Sequence, residues 1–338
     1  MSNREQFHLR HRTHILIYLL ISLIGICVLG ILYGSTDISL HDVYKSLFRY
    51  DSNDISHILI RNVRLPRVLA GAFAGIGLSL SGVILQTVMN NSMVSPNLIG
   101  VNTGAGLAIL VVMIFVPSMY YLIPVAAFFG AFMASLLIFL VAYKAGLSRI
   151  AIVLAGIALS SILNAGINAV TLLYPELAIN SSAFMNGGLS GILMEKILLP
   201  AAIILIVFLI SILLSNHLNI LNLGDAMAAS IGLNVNVVRF IFIALSSVLA
   251  GSVISYAGLL SFVGLIVPHI CRKLVGSDAR YLVPSSALFG GGFVVLCDLI
   301  GRIVFAPYEL PVGILMSFIG GPFFIYLLLS KKGKRLNA

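Results

Sequence analysis

The sequence predicts an all-α, polytopic membrane protein with about ten transmembrane helices. Of its 338 residues, 60% are hydrophobic and 9% are charged, and the mean hydropathy is +1.10. A composition this apolar is typical of chains that lie in a bilayer. About ten apolar segments can cross, or nearly cross, a hydrocarbon core of about 30 Å. Their predicted extents are residues 15–34, 65–88, 96–116, 120–143, 149–172, 197–215, 236–256, 258–274, 282–305 and 310–330, all within one transmembrane domain, 1–338.

The first segment, 15–34, has the basic flank of a signal peptide. Arg4, Arg10 and Arg12 precede it. Its apolar run is longer than the hydrophobic region of a signal peptide, and no small-residue cleavage pattern interrupts it. We therefore predict a retained span with the N-terminus in the cytoplasm.

The basic residues of the later segments agree with this orientation. An even number of spans returns the chain to its starting side, so both termini are predicted to be cytoplasmic. Most of the 20 Lys and Arg residues then fall on that side, as the positive-inside rule requires. This bias accounts for most of the +9 net charge without a nucleic-acid partner.

The membrane segments contain many small residues and few charges. Glycine runs such as GAFAGIGLSLSG at 71–82 favour close helix packing. Pro268 lies inside an apolar run and is predicted to leave a carbonyl unpaired unless a neighbour satisfies it. Asp298 precedes Arg302 by one helical turn, so the two are predicted to pair. The few buried charges argue against a proton-coupled secondary carrier, and His269 alone does not support a membrane-embedded enzyme.

A polar segment, 216–236, follows the sixth span on the predicted cytoplasmic side. Asp225 is predicted to cap a short helix there, and Gly232 to end it in the left-handed region. Between them, a flat face of small side chains is predicted from Ala226, Ala228, Ala229 and Ser230. That face suits docking in a groove of a partner, although a simple connector is the alternative interpretation.

Five ordered motifs, together with this segment, resemble the iron-siderophore and cobalamin permease family (FecCD-like) of type II ABC importers. The motifs, in chain order, are RLPRVLAGAFAGIGLSLSGVILQ at 64–86, NLIGVNTGAG at 97–106, LAGIALS at 154–160, GLLSFVGLIVPHICRKLVGSDAR at 258–280 and ELPVGILMSFIGGPFFIYLLL at 309–329. The resemblance covers nearly the whole chain. It implies the type II ABC importer permease fold and a non-catalytic transport subunit in the bacterial cell membrane.

The resemblance also implies the partners. Two permease chains, identical or paralogous, enclose a path that two cytoplasmic ATPase subunits power, and an extracytoplasmic substrate-binding protein delivers the cargo. The chain has no GxxxxGK[ST] motif of its own. A ferric siderophore is the expected cargo, with cobalamin or heme as the alternative, and no cofactor or bound metal is expected.

Several residue roles follow from matched positions in the motifs. Binding-protein docking is expected at Arg64, Arg67 and Arg302, and these arginines are expected to lie at the outer surface, with lipid headgroups as the alternative partner. The remaining expected roles are ATPase coupling by Gly224, Asp225, Ala226, Ala229, Ser230 and Gly232, a cytoplasmic gate at Asn91, Met93, Ser148 and Arg149, and a translocation path along Gln86, Asn164 and Asn168. Ser92 stands where the family usually has a proline, which weakens the match at the gate.

Overall fold

The computed structural model describes residues 3–34, 38–48, 51, 54–144, 148–304, 306 and 308–335, which form a helical bundle. The helices are α1 (Asn3–Leu32), α2 (Leu40–Phe48), α3 (Ile55–Leu59), α4 (Leu65–Val88), α5 (Val101–Phe115), α6 (Ile123–Lys144), α7 (Arg149–Leu173), α8 (Pro175–Asn186), α9 (Met194–Leu213), α10 (Ser215–Asn222), α11 (Asp225–Ser230), α12 (Val235–Ala257), α13 (Val263–Val275), α14 (Ala279–Ile303) and α15 (Val312–Arg335).

Each of the ten predicted spans coincides with one of these helices. Within the described residues, 7 helices are long and apolar enough to cross a membrane. The other three predicted spans correspond to shorter helices: α5 has 15 residues, α13 has 13, and the apolar part of α15 is Val312–Leu327. The count of ten is therefore approximate, while the all-α class is confirmed.

Several helical segments are absent from the prediction, α3, α8 and α10 among them. Helix α8 follows α7 after a single residue, and a π-helical turn, Ile60–Arg64, joins α3 to α4. Neither has an apolar run long enough to mark a span. The short helix α2 begins after Ser39, whose hydroxyl caps it by accepting a hydrogen bond from the Asp42 N–H at 3.1 Å.

Helix α4 lies at the centre of the bundle and contacts α9, α12, α13 and α14. Its apolar stretch is the most buried of the candidate spans. Glycines permit this packing: a Cβ at Gly75 would overlap the carbonyl oxygen of Gly290 on α14. Close backbone approach of this kind is how helices associate where lipid removes the hydrophobic driving force.

Helix α13 carries the proline that we predicted to leave a carbonyl unpaired. Pro268 provides no N–H for the carbonyl of Gly264, four residues earlier. The side-chain amide of Gln86, on α4, donates to that carbonyl at 3.0 Å. The Gln86 side-chain oxygen in turn accepts from Arg272 Nη1 at 2.6 Å. A neighbouring helix therefore satisfies the proline defect, as the sequence argument required.

The residue before α13 has an unusual backbone conformation. Phe262 has φ of 67°, which is rare for an aromatic residue. Its ring packs against Gly320 of α15, where a Cβ would overlap the ring atoms. Together with Gly258, at φ of 71°, Phe262 marks the break between α12 and α13.

Candidate functional site

Three arginines meet at one end of the bundle, which we call the arginine end: Arg64, Arg67 and Arg302. Arg67 lies on α4, Arg302 is in the last turn of α14, and Arg64 immediately precedes α4. Their exposures are only 4% for Arg64, 7% for Arg67 and 4% for Arg302. Each side chain is thus turned into the protein in the single chain instead of being exposed for docking, and the docking role of the three arginines stays a prediction.

Arg67 and Arg302 share one carboxylate, that of Asp298. Arg67 Nε lies 3.0 Å and Arg302 Nε lies 3.1 Å from Asp298 Oδ2. The predicted Asp298–Arg302 pair is confirmed, and Arg67 joins it from a helix more than two hundred residues away in the sequence. Burying a charged side chain in a low-dielectric site has a high free-energy cost unless a charge of opposite sign pairs with it.

Arg67 also reaches a carboxylate at the surface of the arginine end. Its Nη1 donates to Glu309 Oε2 at 2.7 Å, and the Ser190 hydroxyl donates to the same oxygen at 3.2 Å. Burial by itself raises the pKa of Glu309, but these contacts outweigh it and hold that pKa below its usual value. The Glu309 side chain is 36% exposed, so it is the part of this network that water and a partner can reach.

Arg64 and Arg302 also bind the C-terminus of α1. Arg64 Nη1 donates to the carbonyls of Ile31 at 2.8 Å and Leu32 at 2.6 Å. Arg302 Nη2 donates to the carbonyl of Gly30 at 3.1 Å. The last carbonyls of a helix have no partner within it, and cations are favourable there. These two arginines therefore have a structural role that the sequence motifs did not indicate.

The polar segment predicted for coupling lies at the opposite end of the bundle and forms α10 and α11. Asp278 precedes α14 and accepts from the Asn219 side chain of α10 at 2.9 Å, whereas Arg302 lies near the other end of α14. A helix of this length separates the two ends by about 36 Å at 1.5 Å per residue. The segment and the arginine end are thus a membrane thickness apart.

Helix α11 presents most of its surface to solvent. Ala226, Met227, Ala229 and Ser230 are exposed, while Ala228 is buried. The predicted face of small side chains is therefore incomplete, because Ala228 is buried against the rest of the chain and the larger Met227 is exposed beside it.

The ends of α11 differ in part from the prediction. Gly224 occupies the N-cap position with φ of 103°, and Gly232 has φ of 90°, so the expected glycine at the C-terminal end is confirmed. Asp225 is the first helical residue instead of the cap, and its Oδ1 accepts from Arg239 Nη2 of α12 at 2.8 Å. Arg239 is almost fully buried and so anchors α11 to the bundle.

Asp278 links three elements at this same end. Besides Asn219, it accepts from Arg280 Nη2 at 2.9 Å and lies 3.9 Å from Arg12 Nη1 of α1. Burial by itself raises the pKa of Asp278, but the hydrogen bonds from Arg280 and Asn219 prevail and lower it to about 2. The carboxylate therefore stays charged at neutral pH and joins α1 and α10 to the start of α14.

One of the residues predicted to form a gate, Asn91, lines a cleft at this end. The cleft measures about 240 Å³ and lies between the segment that follows α4, including Asn91, and the first turns of α7, including Ile150 and Leu154. The Asn91 side chain accepts from the Met93 N–H at 3.0 Å, and Ser148 caps α7 by accepting from the Ala151 N–H at 3.0 Å. The Arg149 side chain lies outside the described residues. The gate assignment stays a prediction.

The residues predicted to line a path divide into two groups. Asn164 and Asn168 are exposed on α7, so they are available to a path between two chains. Gln86 is 2% exposed and bonded to Gly264 and Arg272. Its assignment to the path is wrong, because its amide is used to complete α13.

The sequence motifs did not indicate four functional candidates: Arg239, Asn219, Asp278 and Glu309. Each acts through a partner distant in sequence or in another element, so no local spacing indicates it. Within the described residues, no group of three His, Cys, Asp or Glu side chains is placed to hold a metal ion. Cys27, Cys271 and Cys297 are free thiols, the latter two buried.

The anchoring of α11 by Arg239 can be tested by hydrogen exchange. We expect Arg239→Gln to speed exchange of the backbone amides of residues 225–232 by about tenfold or more, because a short helix held by one ion pair opens locally when the pair is lost. Arg280→Gln, a change of an exposed arginine at the same end, is the control and should leave those amides unchanged. Equal exchange in the two variants would show that the packing of Ala228 alone holds α11.

The fold has close counterparts among solved structures. A transporter described as of the metal-chelate ABC type, in an inward-facing conformation, is similar with a TM-score of 0.84 and 29% identity over 94% of this chain and 99% of that chain. PsaBC from Streptococcus pneumoniae shares the fold at a TM-score of 0.52 and 16% identity, covering 78% of this chain and 90% of that chain. The bundle is thus that of an ABC importer permease, a multi-pass membrane protein.

Sequence comparison gives the family. The chain belongs to the FecCD transport family, whose family model matches residues 20–330. It is 37% identical to the Fe(3+)-citrate import system permease protein YfmE of Bacillus subtilis, covering 93% of this chain and 94% of the relative. It is 33% identical to YfmD of the same organism, over 97% and 98%. Identity to the "Probable heme-iron transport system permease protein IsdF" of Staphylococcus aureus is 32%, over 94% and 96%.

Proposed function

We propose that this chain is the transmembrane permease subunit of an ABC importer that translocates a ferric siderophore across the bacterial cell membrane. The observation that carries this proposal is the nearly full-length similarity to permeases described for import of Fe(3+)-citrate. Heme is the second candidate, favoured by the similarity to IsdF. A permease for either cargo needs no buried catalytic group.

In this proposal the α10–α11 segment faces the cytoplasm and contacts an ATPase subunit that hydrolyses ATP. The exposed side chains of α11 supply the contact, and the Asp225–Arg239 pair carries force from it to α12. Both termini are cytoplasmic in this orientation. With a helical separation of about 36 Å, the arginine end would then lie at the outer surface.

The arginine end would receive a substrate-binding protein. Because Arg67 is already bound by Asp298 and Glu309, a carboxylate from the partner would have to replace Glu309, the exposed member of the network. Charge pairing at such a rim fixes orientation and speeds association more than it adds affinity. A second permease chain, identical or paralogous, would complete the path along Asn164 and Asn168 of α7.

Uptake of labelled iron in a deletion strain tests the proposed cargo. The strain is starved of iron and supplied with one ferric siderophore at a time, ferric citrate included, with heme as a separate iron source, and uptake of labelled cobalamin is measured in parallel. We expect uptake of one class of ferric chelate to fall by at least about tenfold and to recover with the restored gene.

The pattern of loss decides between the candidates. Loss confined to heme would replace the first candidate with the second. Unchanged uptake from every iron source, in a strain without a second system of this family, would reject an iron-chelate cargo. The matched control is the same strain restored with a chain carrying Glu176→Ala, an exposed change at the start of α8 that should transport normally.

A further inference from the structure

An apolar cleft of about 390 Å³ opens on the surface between α6, α9 and α12. Its walls include Val125, Phe128 and Phe129 of α6 and Leu199 and Ile203 of α9. We call it the α6–α9–α12 cleft. None of the roles assigned above uses it.

The cleft lies at the arginine end and has charges only at its mouth. Glu195 and Lys196 line it from the first turn of α9. Ser190, just before α9, donates to Glu309, which fixes this turn at the arginine end. The apolar walls continue from there along α9, a helix of 20 residues that is a candidate span. Charged groups at one level with apolar side chains below them match the boundary between headgroups and acyl chains.

Three polar side chains at the cleft have no partner among the described residues. Glu195 and Lys196 are exposed, and neither side chain makes an ion pair or hydrogen bond within the described chain. The Ser252 hydroxyl, which also lines the cleft, is buried and makes no hydrogen bond there. By contrast, the Ser255 hydroxyl donates to the Ser252 carbonyl at 2.7 Å, as helical serines commonly do. A buried polar atom without a partner in the protein calls for a bound partner such as a water or a ligand group.

We propose that the α6–α9–α12 cleft binds one glycerophospholipid whose headgroup carries both a phosphate and an ammonium group, as in phosphatidylethanolamine. An acyl chain lies along the walls formed by Phe128 and Leu199. The phosphate contacts Lys196, the ammonium contacts Glu195, and an ester oxygen accepts from the Ser252 hydroxyl.

The adjacent opposite charges select this headgroup. A purely anionic headgroup would satisfy Lys196 but would place negative charge beside Glu195. An acyl chain alone would leave both charges and the Ser252 hydroxyl without partners. The lipid belongs to the outer leaflet, a point that rests on the orientation in the proposed function; binding itself does not depend on that orientation.

Native mass spectrometry of the purified chain tests the site. The chain is released from vesicles of equal parts phosphatidylethanolamine and phosphatidylglycerol, and retained lipids are counted by mass. We expect one tightly retained phosphatidylethanolamine. Leu199→Trp, which fills the cleft from an exposed position, should lower that retention by at least about tenfold. Leu198→Trp is the matched control, because Leu198 is similarly exposed on the same helix but does not line the cleft.

A second variant tests the headgroup. Glu195→Lys should remove the preference for the ammonium headgroup and favour retention of phosphatidylglycerol. Glu195→Lys and Leu199→Trp should both elute as folded protein. Equal retention in the two tryptophan variants would overturn the site. Preferential retention of phosphatidylglycerol by the unaltered chain would overturn the headgroup assignment. Cross-linking of two copies through Leu199→Cys would show that the cleft contacts another copy of the chain instead of a lipid. Since transport is not measured, these results leave the proposed function untouched.

Discussion

Replacing Asp298 with alanine is expected to destabilise the folded chain by about 3–5 kcal/mol, because the change leaves two buried arginines without their shared carboxylate. Asp298 is 2% exposed and contacts both Arg67 and Arg302. Arg67 would keep Glu309, but the almost fully buried Arg302 would lose the carboxylate with which it pairs. The free energy of unfolding, measured by titration with a denaturing detergent in mixed micelles, should show the loss directly.

A double variant separates charge from packing at this site. Asp298→Ala combined with Arg302→Ala restores the local charge balance and should recover part of the lost stability, so the two changes are not additive. Glu176→Ala, which removes an exposed carboxylate, should cost less than about 1 kcal/mol. If Asp298→Ala behaved like Glu176→Ala, the network at the arginine end would contribute nothing to the fold.

Gly75→Ala is expected to prevent native packing of α4 against α14. The added Cβ would overlap the Gly290 carbonyl oxygen, which is backbone and cannot rotate away. Overpacking commonly costs about 1–3 kcal/mol, and a clash with helix backbone should reach or exceed the upper value. The yield of monodisperse folded protein and its free energy of unfolding in detergent both measure this effect.

The control for Gly75 is a glycine in open space. A Cβ at Gly25 of α1 would meet nothing within 4 Å, so Gly25→Ala should fold normally. The comparison distinguishes a specific contact from a general need for glycine in these helices. Normal folding of Gly75→Ala would mean that α4 and α14 can separate without loss.

The sequence predicted the helices well because apolar runs are local properties. It also predicted the Asp298–Arg302 pair, which depends on one helical turn, and the need to satisfy the carbonyl at Pro268. It could not identify the residue that does so, since Gln86 is distant in sequence from Gly264. The same limit explains why Gln86 was assigned to a path and why the ion pairs of Arg67 with Asp298 and Glu309 were not predicted.

The errors at α11 have a different cause. An acidic residue after a glycine is a reasonable cap, but Asp225 turns instead toward Arg239, fourteen positions later. A buried arginine gains more from a carboxylate than an exposed helix end gains from a cap. Which of two local partners a side chain takes is decided by burial, and burial is a property of the whole bundle.

The amide of Gln86 makes α13 mechanically dependent on α4. Pro268 would normally create a weak point at which α13 could bend, but the Gly264 carbonyl that it leaves without a helical N–H is held by the same side chain that binds Arg272. Bending α13 there would break contacts on both sides of one amide that is almost fully buried. We therefore expect α4 and the two halves of α13 to shift as one rigid unit. A cycle of opening and closing would then find its flexible joints elsewhere, at the glycine turns that flank α11 and at the break between α12 and α13.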